Sequence, residues 1–285
     1  MARAIVFLSD FGLDDEFVGT CHGVIGRRAP DARVIDLSHG VPAGDVLRGA
    51  ILLRDCIAYV PEDAVLLGVV DPGVGGARLP IAARTTGGRL LVGPDNGLLS
   101  LAWRALGGVE RAVVIDSTEV VLRPTSRTFH GRDVFAPAAA HLAGGAELSS
   151  LGATTPVDAL TEVEVPRGDI EPGGTSASVL SVDRFGNVAL ALTGDEFSRA
   201  GLDASAVLEV RTPERVARAI PGSTFGDVEP GTLVVLIDSA GWVAIGRNGG
   251  SAADLLGARP GMVIRLRTTS NPAEPKTQPR GSAGT

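Results

Sequence analysis

Six short polar segments hold the side chains able to do chemistry. In Val70-Asp71-Pro72-Gly73-Val74-Gly75-Gly76-Ala77-Arg78 an apolar run ends in an acid, and an arginine follows seven residues later. Three glycines in four positions let the backbone turn sharply and return Arg78 toward Asp71. A guanidinium beside a carboxylate favours the anion and fixes its direction, in a catalytic pair or in a plain loop ion pair. The segment lacks the Gly-Lys-Ser/Thr ending of a phosphate loop. In Thr128-Phe129-His130-Gly131-Arg132-Asp133 an imidazole beside a glycine leads into an apolar helical run over 134–142. Histidine is the side chain that exchanges protons near neutrality. Arg132 and Asp133 read as a capping pair.

The remaining segments offer binding groups. In Ser9-Asp10-Phe11-Gly12-Leu13-Asp14-Asp15-Glu16, Asp10 ends an apolar run, where a carboxylate can accept both hydroxyls of a ribose diol. Asp14 and Asp15 read as caps and dipole partners of the next helix. Asn96, in Gly93-Pro94-Asp95-Asn96-Gly97, either caps a helix or presents its amide at the same mouth. Asp183-Arg184-Phe185-Gly186-Asn187 is a β-turn, or a small polar claw beside a ring, suited to a zwitterionic amino-acid end and a stacked base. Main-chain amides in Arg247-Asn248-Gly249-Gly250-Ser251 can bind a purine edge or a carboxylate. His22, His39 and His141 have no comparable setting and read as structural. Cys21 and Cys56 are too few for a zinc cage and read as buried free thiols.

These segments need elements to position them. Short β-branched runs at 4–8, 34–37, 65–70, 90–92 and 112–115 read as buried strands. Between the first two, Phe17, Cys21, Val24 and Ile25 share a helical face. Between the next two, Val46, Ala50, Leu53 and Ile57 do the same. The fold class is therefore α/β: an N-terminal domain over 1–165 with a largely parallel sheet between helices. In such a sheet, sites form beyond the C-terminal strand ends. A proline- and glycine-rich break over 165–174 precedes strand-like runs at 176–182, 188–192, 207–210, 233–237, 242–245 and 263–266. Short helices are expected at 195–200 and 252–256. This reads as a C-terminal all-β, barrel-like domain over 175–268. The polar, proline-rich stretch 269–285 is expected to be a disordered tail.

Composition narrows the class. A 285-residue chain with 44% hydrophobic residues can bury a substantial core. A formal charge of −7 argues against gripping nucleic acid through phosphates. No apolar stretch is long enough for a membrane span, and the opening run lacks the shape of a secretory signal, so a cytoplasmic location is expected.

Taken together, SDFGLDDEFVG, VVDPGVGGAR, VGPDNGLLS, TFHGRDVFAPAAAHLA, VDRFGNV and ARPGMVIRL resemble, in order and spacing, the S-adenosylmethionine hydroxide adenosyltransferases. These are adenosine-forming S-adenosylmethionine hydrolases related to the fluorinase and chlorinase. The resemblance implies an α/β domain followed by a β-barrel, assembled as a homotrimer or a dimer of trimers with substrate between subunits. It implies conversion of S-adenosyl-L-methionine and water to adenosine and L-methionine by attack at C5′ of the ribose, with no cofactor or metal. It assigns the catalytic set to Asp71, Arg78 and His130, and the ribose acid to Asp10. Asp183 and Asn187 would hold the methionine end, with Phe185 near the base or chain. Thr128, Phe129, Ser239, Arg247 and Gly249 fall at other pocket positions of the halogenase relatives, and Asn96 joins them as a candidate binding residue from its place at the strand mouth. The halogenases carry tyrosine at the position of Asp71 and a change at His130. They also place tryptophan at Gly44 and arginine at Ala240. An ionised Asp71 repels chloride, which disfavours halogen transfer. Two alternatives are a metal-dependent phosphohydrolase using Asp10, Asp71, Asp95 and His130, and a non-catalytic S-adenosylmethionine or nucleoside binder.

Overall fold

The computed structural model describes residues 2–269; beyond Thr269 the expected tail lies outside the described residues. The chain divides into two compact units, Met1–Val165 and Pro166–Thr285.

The first unit runs β1 (Ile5–Ser9), α1 (Phe17–Arg28), β2 (Val34–Ser38), α2 (Val46–Cys56), β3 (Val65–Val69), β4 (Pro80–Thr85), β5 (Leu90–Pro94), α3 (Ser100–Ala105), β6 (Val109–Val114), α4 (Ala136–Ala143) and β7 (Thr154–Thr155). The sheet order is β2-β1-β3-β5-β4-β6-β7. β2, β1, β3 and β5 are parallel. β4, β6 and β7 extend the sheet antiparallel. Successive side chains point to opposite faces. Ile5, Phe7, Val65 and Leu67 pack with Cys21 and Ile25 of α1 and Ala139 and Leu142 of α4. Val6, Leu8, Leu66 and Leu91 pack with Leu53 of α2 and Ala102 of α3. Burial on both faces explains why these strands are continuous apolar runs. Each buried Val, Leu, Ile or Phe side chain among them contributes about 1.5–3 kcal/mol.

The topology gathers the polar segments of this unit at one edge. β1, β3 and β5 end there, followed by Asp10, Asp71 and Asn96. β4 starts there, because Pro80 pairs with Pro94. The β3–β4 loop therefore crosses the end of β5, where Asp95 N donates to Leu79 O at 2.9 Å. β6 also ends at this edge, with Val114 opposite Ile81, and sends the chain on to His130. Helix starts differ from expectation. α1 begins after Glu16 with no side-chain cap, and Asp14 and Asp15 stand in an exposed turn. Asp45 caps α2 by accepting from Arg48 N at 2.9 Å.

The second unit runs β8 (Asp169–Glu171), β9 (Gly174–Val182), β10 (Val188–Thr193), α5 (Gly194–Arg199), β11 (Leu208–Arg211), β12 (Val216–Pro221), β13 (Leu233–Ile237), β14 (Trp242–Arg247), α6 (Ala252–Leu256) and β15 (Val263–Thr268). Its order β10-β14-β13-β12-β11-β15-β9 closes through β9–β10 pairing into a seven-stranded barrel, with β8 added outside β9. Among the described strands of this unit only β12 and β13 are parallel neighbours. Leu190, Val210, Val235, Val243, Ile245 and Leu266 lie in its buried core. No helix among the described residues is long and apolar enough to cross a membrane.

Candidate active site

Asp71, Arg78 and His130 meet at the sheet edge. Arg78 forks onto Asp71: Nε donates to Oδ1 at 2.9 Å and Nη2 donates to Oδ2. The two side chains are only 9% and 6% exposed. The same Nη2 contacts His130 Nδ1 at 2.8 Å, across 52 residues of sequence. A guanidinium has no acceptor, so Nδ1 accepts and the neutral ring carries its proton on Nε2. Burial, and then the charge of Arg78, hold His130 below the ordinary histidine value of 6.5 against the opposing pull of Asp71 and Asp133. The cluster thus offers a directed carboxylate and an imidazole N–H donor within one bonded unit.

Three supports hold it, and of these only Phe135 went unmentioned in the sequence reading. The Phe135 ring is fully buried and lies 5.3 Å under the Arg78 guanidinium. Gly75, at φ +72°, presses the glycine loop onto the segment before His130; a Cβ there would stand 2.3 Å from Arg127 O. Asp133 is buried and accepts from Ser126 N at 2.7 Å and from the Arg132 fork at 2.6 and 2.8 Å. Arg132 and Asp133 therefore form the expected pair, but rather than cap a helix they tie the loop at Ser126 to the helical turn Gly131–Phe135 that precedes α4.

Asp10 sits near this cluster. Its Oδ2 accepts from Gly44 N at 2.8 Å, and a Cβ on Gly44 would touch Pro72, next to Asp71, at 3.5 Å. Asn96 is committed locally, donating Nδ2 to Val70 O at 2.9 Å and accepting from Leu98 N at 3.1 Å. It does not cap α3, and its amide keeps one N–H beyond these bonds. Phe129 stacks edge-on with Phe11 and Phe17, with centroids 5.8 and 5.1 Å away. Thr128 is exposed, with Oγ1 3.2 Å from Ser126 Oγ.

In the barrel, Asp183 closes its own turn. Its Oδ1 accepts from Phe185 N and Asn187 N at 2.9 Å each, and Oδ2 accepts from Asn187 Nδ2 at 2.8 Å. Phe185 is 72% exposed. This turn adjoins the Arg247–Ser251 segment, since Ala253 N donates to Gly186 O at 2.9 Å. Arg247 Nε donates to Gly231 O at 3.0 Å, and Gly249 takes φ +74°. Ser239 stands apart. It lies in the β13–β14 turn, at the opposite end of β14 from Arg247, where Gly194 N meets Gly241 O at 3.2 Å. A strand of this length separates the two ends by roughly 16–20 Å, so one barrel does not bring Ser239 to the other five residues.

The acids of the alternative metal site do not converge. Among the described residues the one group of metal-ligating side chains that does is His22, Asp36 and His39.

Comparison with known proteins decides the family. The SAM hydroxide adenosyltransferase N-terminal domain matches residues 5–152, and the C-terminal domain of the same name matches residues 177–265. The chain belongs to the SAM hydroxide adenosyltransferase family. It is 50% identical over 262 residues to the (R)-S-adenosyl-L-methionine hydrolase of Salinispora arenicola, covering 92% of this chain and 97% of that one. A fluorinase of Actinopolyspora mzabensis is 27% identical, covering 92% and 96%. An uncharacterized conserved protein from Thermotoga maritima has a similar crystal structure, with TM-score 0.86, 34% identity, and coverage of 92% and 99%. Within this adenosyltransferase family chain, the N-terminal match holds Asp10, Asp71, Arg78, Asn96 and His130. The C-terminal match holds Asp183, Asn187, Ser239 and Arg247.

Proposed function

We propose that this chain hydrolyses S-adenosyl-L-methionine to adenosine and L-methionine, with Asp71, Arg78 and His130 holding the attacking water. The observation that carries this is the bonded Asp71–Arg78–His130 unit beside Asp10 at the sheet edge. The C5′–S bond breaks as C5′–O forms. Sulfur keeps the electron pair and its positive charge is neutralised. Free water, with a pKa near 15.7, is not ionised in advance by a carboxylate. His130 Nε2–H donates to the water oxygen, and Asp71 accepts the proton as the bond forms. His130 does not take it, because its acceptor nitrogen is engaged by Arg78. Alignment supplies up to roughly 7–11 kcal/mol of the barrier.

Asp10 would bind the ribose diol, and Asp183, Phe185 and Asn187 the remainder of the substrate. Assembly as a homotrimer or a dimer of trimers, and a cytoplasmic location, belong to the same proposal. The exposed Leu13 and Tyr59 would suit a covered surface. The relatives' name specifies the R form, so the sulfonium epimer preferred here is expected to be R.

The test is product analysis in 18O-labelled water with each sulfonium epimer. Label in the 5′-hydroxyl of adenosine is expected. Release of adenine, or unlabelled adenosine, overturns the reading.

A further inference from the structure

Away from the catalytic cluster, His22 of α1, Asp36 of β2 and His39 just beyond β2 place their ligand atoms within 4.8 Å of one another. His22 Nε2 lies 2.8 Å from Asp36 Oδ1, and His39 Nε2 lies 3.0 Å from the same oxygen. The His39 side chain is 3% exposed, yet its Nε2 makes no aligned hydrogen bond. Its other nitrogen, Nδ1, lies 2.7 Å from Ser9 Oγ, and the Phe7 ring meets it edge-on at 4.8 Å. In the tautomer that donates Nδ1–H to Ser9, a bare Nε2 lone pair is held toward a carboxylate and a second imidazole. That is the arrangement of a metal-ligating histidine, whose far nitrogen is anchored by an oxygen.

We propose that His22, Asp36 and His39 bind one divalent transition-metal ion of the zinc class, with water completing a tetrahedral shell. Two imidazoles and one carboxylate suit zinc, whereas calcium and magnesium require shells made mainly of oxygen. Metal–ligand bonds of about 2.0–2.2 Å place ligand atoms roughly 3.3 Å apart, so the present contacts need to open by only a few tenths of an ångström. His22 and Asp36 have side chains 36% and 42% exposed, which gives the ion an entry path. The site does not touch the reacting cluster. It ties α1 to β2 and to the chain beyond, where His39 O accepts from Gly12 N at 2.8 Å and Gly44 N reaches Asp10. Its role is therefore to brace the Asp10 loop.

The test uses the full chain stripped with a chelator, titrated with Zn2+ by calorimetry and with Co2+ as a spectroscopic probe. One equivalent is expected to bind at micromolar concentration or below, with four-coordinate Co2+ visible bands and a higher thermal midpoint with Zn2+. His22→Ala, at a half-exposed helix position, and Asp36→Asn are each expected to weaken binding at least about tenfold with the far-ultraviolet dichroism unchanged. Absence of saturable one-equivalent binding by the unmodified chain, or equal affinity in folded His22→Ala, overturns the proposal.

Discussion

Arg78 Nη2 stands 2.8 Å from His130 Nδ1, and this contact fixes which ring nitrogen of the neutral imidazole carries the proton. A proton on Nδ1 would break the bond and set two cations together. With the pKa held below 6.5 by burial and by Arg78, the neutral ring persists to lower pH than a free histidine. The acidic limb of kcat/KM for adenosine release is expected to have its midpoint below 6.5. The stability contribution has the same sign: it is present above the unfolded value and lost as pH falls. A limb at or above 6.5 would contradict the contact.

The proposed mechanism makes Asp71 the proton acceptor. Asp71→Asn keeps the shape and removes the basicity. Adenosine formation is expected to fall at least about 100-fold, with KM little changed. Turnover within a few-fold of the unmodified enzyme would remove Asp71 from the chemistry.

Gly75 sets the distance between two loops. Gly75→Ala combines left-handed strain with a Cβ 2.3 Å from Arg127 O. It is expected to lower stability by about 2–3 kcal/mol and reduce kcat. Gly88→Ala is the control, because its φ is +83° but no atom lies within 4 Å of the added Cβ. Thermal unfolding and initial rates on both variants separate strain from collision. Equal kcat losses would show that the approach to Arg127 does not matter.

Asp133, in the helical turn that His130 caps, holds the preceding loop through Ser126. Hydrogen bonds from Arg132 and Ser126 outweigh burial and hold its carboxyl below the ordinary 3.8. A depressed carboxyl stabilises the fold above that value and loses this contribution as pH falls through the folded value. Asp133→Asn is expected to be less stable at neutral pH and to lose less further stability on acidification. Urea unfolding across a pH series measures both.

Cys21 and Cys56 are buried, and burial raises their thiols to about 12 and about 11. The thiolate is the reactive form. Both cysteines are therefore expected to resist a disulfide reagent in the native protein and to react rapidly in denaturant. Fast native labelling would show that these helices open readily.

The apolar strands were legible because parallel strands buried on both faces leave no polar alternation, as in Ile5–Ser9 and Val65–Val69. β4 was not, since Pro80-Ile81-Ala82-Ala83-Arg84-Thr85 is short of β-branched residues and draws its stability from partners on both sides. β12 was missed for a similar reason. Its outward side chains are exposed, and it ends in Pro221. In the site, spacing alone brought Arg78 toward Asp71, because the glycine loop is local. The bond from Arg78 to His130 spans 52 residues and depends on β6 ending at the same edge as β3, a matter of register. The same blindness hides the remoteness of Ser239 from Arg247, and the convergence of His22 with Asp36 and His39.

Gly44 donates its amide to Asp10 from a left-handed backbone, with Pro72 close by. The rim between the two acids is therefore built of peptide rather than side chain. Attempts to graft a bulky aromatic onto it, in search of new chemistry, begin from a conformation that side-chain-bearing residues resist. Remodelling the loop from Val41 to Asp45 has to come before any exchange of residue types.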